Sequence, residues 1–149
     1  MENKKYIHYG HKRFDMRLFE PIRNEGLVPK PYGGFWASPV DAKWGWKDWC
    51  KRENFERHNL RTSFSFHLAP TANVLVVNNV ECLESLPKMP YEGKFTPTWV
   101  ALDFEKIQAS GVDAIEYVLS SDGRLYMAMY GWDCDSILIM NPDIIVMEE

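Results

Sequence analysis

The sequence predicts an α+β fold, with residues 1–149 read as one domain. Two observations carry this. Helix-type patterns gather in the first two-thirds of the chain and short strand-type runs dominate the end. The two do not alternate in the regular βαβ order that a parallel sheet needs. The length of 149 residues suits one ordinary domain, and 46% hydrophobic with 26% charged residues is a globular balance.

Taken in order, Lys5 to Tyr9 reads as a strand ending at Gly10, and Arg17 to Asn24 as a short helix broken by Gly26, Pro29 and Pro31. Gly33 to Ser38 is a strand entered through a double-glycine turn and closed by Pro39. Lys43 to Phe55 is a helix, because Trp46, Trp49 and Cys50 recur at i, i+3 and i+4. Asn59 to Leu68 alternates, with Phe64, Phe66 and Leu68 on one side. Asn73 to Val77 is a β-branched run, Val80 to Leu86 a helical turn, and Pro87 to Pro97 a loop. Trp99 to Ser110 is a helix stopped at Gly111. Asp113 to Leu119, Arg124 to Tyr130 and Asp135 to Met140 follow as strands, with a hairpin at Ser121-Asp122-Gly123.

A net charge of −4 argues against a broad electrostatic grip on duplex nucleic acid. Lys4, Lys5, His11, Lys12, Arg13 and Arg17 nevertheless crowd the first seventeen residues, as a solvated face or a local patch. Cys50, Cys82 and Cys134 are too scattered for a disulfide framework or a zinc knuckle. No apolar run approaches the roughly 20 residues of a membrane helix, and no secretory segment opens the chain. The expectation is a reduced, cytoplasmic protein without a membrane partner.

Three segments carry residues that fold requirements alone do not explain. In Tyr6-Ile7-His8-Tyr9-Gly10, a histidine sits in a strand whose glycine lets backbone approach a ligand. In Lys30-Pro31-Tyr32-Gly33-Gly34-Phe35-Trp36-Ala37-Ser38, followed by the run Trp44 to Cys50, adjacent glycines and rings can take a planar group. With 14% aromatic residues, some rings are expected to line a pocket. In Tyr130 to Pro142, the acids Asp133 and Asp135 stand two residues apart, point to one face of an extended segment and repel each other. The alternatives are a structural histidine, a plain turn and a solvated loop.

In this order the segments resemble the ADP-ribosyltransferase family, and most closely its histidine-type branch, which includes the poly-ADP-ribose polymerases. Gly34-Phe35-Trp36-Ala37 is similar to the family's Gly-x-Tyr-Phe-Ala strand, and Trp49-Cys50 to a helix ending in Tyr-Cys. Gly111-Val112-Asp113-Ala114-Ile115 is similar to Gly-Tyr-Asp-Gly-Ile, and Met140 to Ile145 to the stretch after the catalytic glutamate. The resemblance implies a split mixed or antiparallel β core with flanking short helices, and NAD as substrate. It implies that His8 holds the ribose and the backbone at Tyr9 the nicotinamide carboxamide. In the family, Gly directly follows that His; here Gly10 comes one position later. Gly33, Gly34, Phe35, Trp36 and Ser38 would form the cleft wall, and Trp46 or Trp49 the stacking ring. The catalytic position falls on Asp135, where the family has Glu, with Asp133 as the first acid of a Glu-x-Glu-like pair.

The implied reaction breaks the nicotinamide–ribose bond and moves ADP-ribose to an acceptor: protein, nucleic acid or small molecule. A carboxylate would stabilise the oxocarbenium-like ribose. Three other readings stand beside it. One is an inactive NAD- or ADP-ribose-binding module, and another an RNA 2′-phosphotransferase-like enzyme using Arg13, Arg17 and Arg23. The third is an interaction domain whose rings are core.

Overall fold

Alternation of side chains along eight short strands builds one mixed sheet that is apolar on both faces. The computed structural model describes residues 4–24, 29–90, 97–119 and 123–148. The strands are β1 (Lys5–Tyr9), β2 (Glu20–Arg23), β3 (Tyr32–Pro39), β4 (Ser63–Leu68), β5 (Val74–Val77), β6 (Ala114–Tyr117), β7 (Ser136–Ile139) and β8 (Ile145–Met147). Their order is β5-β6-β7-β3-β1-β4-β8, with β2 added along β3; among the described residues only β5–β6 is parallel. Among the described residues three short helices flank the sheet: α1 (Trp46–Glu53), α2 (Phe104–Ala109) and α3 (Gly123–Ala128). The α+β expectation therefore holds.

Register decides which side chains share a face. Phe35 pairs with Ile139 and Ala37 with Ile137, and these join Tyr6, Phe64, Phe66 and Ile144 in one core. Trp36 pairs with Leu138, which pairs with Ile115. These join Tyr117, Leu125, Met129 and Trp132 in the opposite core. Trp132 is fully buried there, and its indole N–H donates to the Pro29 carbonyl at 2.9 Å.

Three expectations need correction, and a fourth falls mostly outside the described residues. Arg17 to Asn24 is not a helix: Met16–Leu18 makes one 3-10 turn and β2 follows. Pro21 would break a helix, but on β2, which pairs only with β3, its missing N–H is tolerated. Arg124 to Tyr130 is not a strand but carries α3. Leu125, Ala128, Met129 and Trp132 are all buried, at helical spacing i, i+3, i+4 and i+7. The hairpin expected at Ser121-Asp122-Gly123 falls mostly outside the described residues, and Gly123 opens α3. The helix expected from Trp99 shrinks to α2, because Asp103 caps it by accepting from the Lys106 amide. Leu102 is pulled out into a bridge with Lys88.

The two glycines of β3 serve packing. A Cβ on Gly33 (φ 79°) would lie 2.2 Å from the Pro21 carbonyl oxygen, and one on Gly34 (φ 75°) 2.4 Å from Leu138 Cδ1. Only glycine lets β2 and β7 approach β3 so closely. No helix among the described residues is long and apolar enough to cross a membrane.

Candidate functional site

The site begins where two neighbouring strands part. β1 pairs with β4 along its whole length, from Lys5↔His67 to Tyr9↔Ser63. Its register with β3 is only Tyr6↔Pro39 and Ile7↔Ser38. Beyond that point β3 follows β7 instead, and the sheet forks.

His8 fills the throat of the fork. Its ring packs on Phe35 and Phe64, with centroids 4.4 and 5.4 Å away. Nδ1 donates to the Trp36 carbonyl at 2.7 Å, standing in for a lost ladder bond. A carbonyl only accepts, so Nδ1 carries the proton. In the neutral ring Nε2 is then an acceptor, 3.0 Å from Nδ1 of His11, which stacks on it. Burial pushes the His8 imidazole below its ordinary range, although the Trp36 bond works the other way.

Backbone groups of β1 open into the same fork. Antiparallel residues turn their N–H and C=O alternately to the two sides. The Gly10 amide donates to Thr62 on the β4 side, and the Lys5 carbonyl accepts from Val40 on the β3 side. Counting from either end, the amide and carbonyl of Tyr9 face the β3 side, past the last β1–β3 pair.

A cleft of about 320 Å³ occupies this place. Ile7, His8, Tyr9, Trp36, Ala37 and Ser38 form its floor and sides. Trp46, Glu56 and Asn59 also line it, as do Lys30, Gly131, Trp132, Asp133, Cys134 and Ser136. The Lys30 ammonium lies over the Trp36 ring, 5.0 Å from its centroid. Burial pushes the Asp133 carboxyl up, and the charge of Lys30 partly offsets this. Burial likewise raises the Cys134 thiol, so it is a poor nucleophile.

Of the residues singled out in the sequence, His8, Tyr9, Trp36, Ser38, Trp46 and Asp133 meet in this cleft. Gly10, Gly33, Gly34, Phe35, Trp49 and Asp135 are not among its lining. Gly33 and Gly34 pack against β2 and β7, and Phe35 is buried in the core behind. Trp49 stacks behind Trp46, with centroids 5.0 Å apart and planes 16° apart, while Phe55 meets both edge-on.

Asp135 does not share a face with Asp133 in the cleft. It is 5% exposed, and its Oδ1 accepts from the Leu119 amide at 2.7 Å. Oδ2 faces the Trp44 amide at 3.4 Å. Its own amide donates to the Trp44 carbonyl at 2.7 Å, and its carbonyl accepts from Ser38 Oγ at 2.8 Å. Ser38 Oγ in turn accepts from the Trp46 amide at 3.0 Å. This set of bonds fixes the Trp44–Gly45 turn and aims Trp46 at the cleft.

Glu56 and Asn59 are lining residues that sequence reasoning did not find, while Lys30 and Ser136 stand within the segments it singled out but were given no role. Glu56 carries the clearest physical signal: its backbone is left-handed (φ 43°), a conformation that costs a non-glycine residue on the order of 1 kcal/mol. Asn59 Nδ2 donates to its carboxylate at 3.0 Å. No motif marks such strain in a sequence. Among the described residues no cluster of His, Cys, Asp and Glu has the arrangement of a metal site.

Comparison with protein-family models, with curated proteins and with solved structures gave no match to this chain.

Proposed function

We propose that the fork cleft binds the nicotinamide end of NAD, and that the protein is an ADP-ribosyltransferase of the histidine type with Asp133 as its cleft acid. The observation that carries this reading is the fork itself. It turns the backbone N–H and C=O of Tyr9 toward an aromatic-walled cavity, past the last β1–β3 pair. A primary carboxamide on a flat ring needs that combination: one acceptor, one donor and a stacking face. Trp46 supplies the face, braced from behind by Trp49. The cleft volume of about 320 Å³ suits a ring and a sugar, near the lower end of the roughly 300–1,000 Å³ typical of small-molecule sites. The rest of the dinucleotide runs out over the open side.

In the reaction the C1′–N bond breaks, and nicotinamide leaves with the electron pair as a neutral molecule. The ribose is left oxocarbenium-like until an acceptor attacks C1′. Asp133 faces that growing positive charge. Glu56, which also lines the cleft, takes the acceptor's proton. A cytoplasmic location belongs to the same reading.

The second reading, a module that binds NAD without cleaving it, is favoured by one observation. The acid at the expected catalytic position, Asp135, is spent on backbone amides. The test is titration of the protein with nicotinamide and with NAD, followed by NMR at the Tyr9 amide and the Trp46 indole. Saturable shifts at both are expected with either ligand, and no response at either group rejects the site.

A further inference from the structure

The loop after β1 carries a second cavity, a groove of about 400 Å³ lined by His11, Lys12, Arg13, Asp15, Arg17 and Leu18. The chain as a whole is acidic, at −4, so this local surplus of cations needs an account. Much of the nearby positive charge is already used. Lys4 pairs with Glu116 at 2.6 Å. Arg17 grips Asp15 through two bonds, Nε to Oδ1 at 3.1 Å and Nη2 to Oδ2 at 3.0 Å. Lys12 and Arg13 form no ion pair within 4 Å among the described residues, and both are exposed.

The loop that holds them is anchored at three points. The Gly10 amide donates to the Thr62 carbonyl at 2.8 Å, Phe14 inserts its edge against Phe35, and Asp15 accepts from the Arg17 amide at 2.9 Å. With Phe14 turned inward, Lys12 and Arg13 stay on the outer side. His11 lines this groove and also touches His8, which lines the fork cleft. The two cavities therefore share the His8–His11 wall.

We propose that this groove binds a pyrophosphate group through Lys12 and Arg13. Resting on the fork reading, that group is the pyrophosphate bridge of the dinucleotide whose nicotinamide lies on the other side of the wall. The two cations, Lys12 and Arg13, suit a doubly charged bridge. Pairing with Asp15 keeps Arg17 from over-filling the site.

The test uses inorganic pyrophosphate, ADP-ribose and nicotinamide as separate probes on the full chain, with potassium chloride at equal ionic strength as the comparison. Pyrophosphate is expected to shift the His11 and Arg13 NMR signals where chloride does not. The double variant Lys12→Ala with Arg13→Ala should weaken pyrophosphate and ADP-ribose at least tenfold and leave nicotinamide affinity unchanged. Equal responses to pyrophosphate and chloride, or parent-like ADP-ribose affinity in the double variant, overturn the groove. A pyrophosphate response with none to nicotinamide supports the groove and overturns the fork reading, so the two failures are separable.

Discussion

The Nδ1 of His8 donates to the carbonyl of Trp36 at 2.7 Å, at the point where β1 and β3 stop pairing. A side chain thus closes the fork where backbone no longer can, and it must stay in the Nδ1–H form to do so. Burial holds its pKa below that of the unfolded chain. Between the folded pKa and the ordinary value near 6.5 the unfolded state binds more protons, so stability is lost as pH falls below about 6.5. Urea unfolding at pH 7.5 and 5.5 should show this loss in the parent. His8→Gln should show a smaller one, since Gln cannot be protonated, and an identical pH dependence would refute the assignment.

Asp135 and Asp133 should separate cleanly. Asp135→Ala leaves the half-buried Leu119 amide without its acceptor, a loss on the order of 1–3 kcal/mol. Asp133→Asn should leave stability within about 0.5 kcal/mol, because it breaks no such network. Denaturant midpoints measure both, and a fully stable Asp135→Ala would show that the carboxylate is not the anchor described above.

The glycines should rank by what a methyl group would strike. Gly33→Ala meets a backbone oxygen and adopts positive φ, so it should cost at least about 2 kcal/mol and drop the yield of folded protein. Gly131 (φ 100°) faces open space. Its alanine variant carries only the backbone cost, about 1 kcal/mol. Reversed order in thermal melts would contradict the close approach of β2 to β3.

Trp46→Ala should weaken nicotinamide by about tenfold, the scale of one aromatic stack. Trp49→Ala should act more weakly, since Trp49 only braces Trp46. Titration calorimetry of both variants decides the order.

The sequence carried the strands well where alternation or β-branching was clear, as in β1, β3 and β4. It carried α1 through the Trp46, Trp49, Cys50 spacing. It misled where two patterns overlapped: Arg124 to Tyr130 is rich in residues that also suit strands, yet its buried positions have helical spacing. In the cleft, six of the singled-out residues converge, because the strand parity of Tyr9, Trp36 and Ser38 was readable. Asp135 was misplaced because a two-residue spacing says nothing about which backbone amides a carboxylate will meet. Lys30 and Glu56 arrive from loops, whose course depends on tertiary packing alone.

The central claim is that the fork cleft cleaves NAD with Asp133 at the ribose. Its most direct test is release of free nicotinamide from NAD over time, measured by chromatography for the parent and Asp133→Asn side by side. The account predicts release by the parent and at least tenfold slower release by the variant, a difference of about 1.4 kcal/mol in transition-state stabilisation. Equal rates, or no release by the parent with any class of acceptor present, would contradict it.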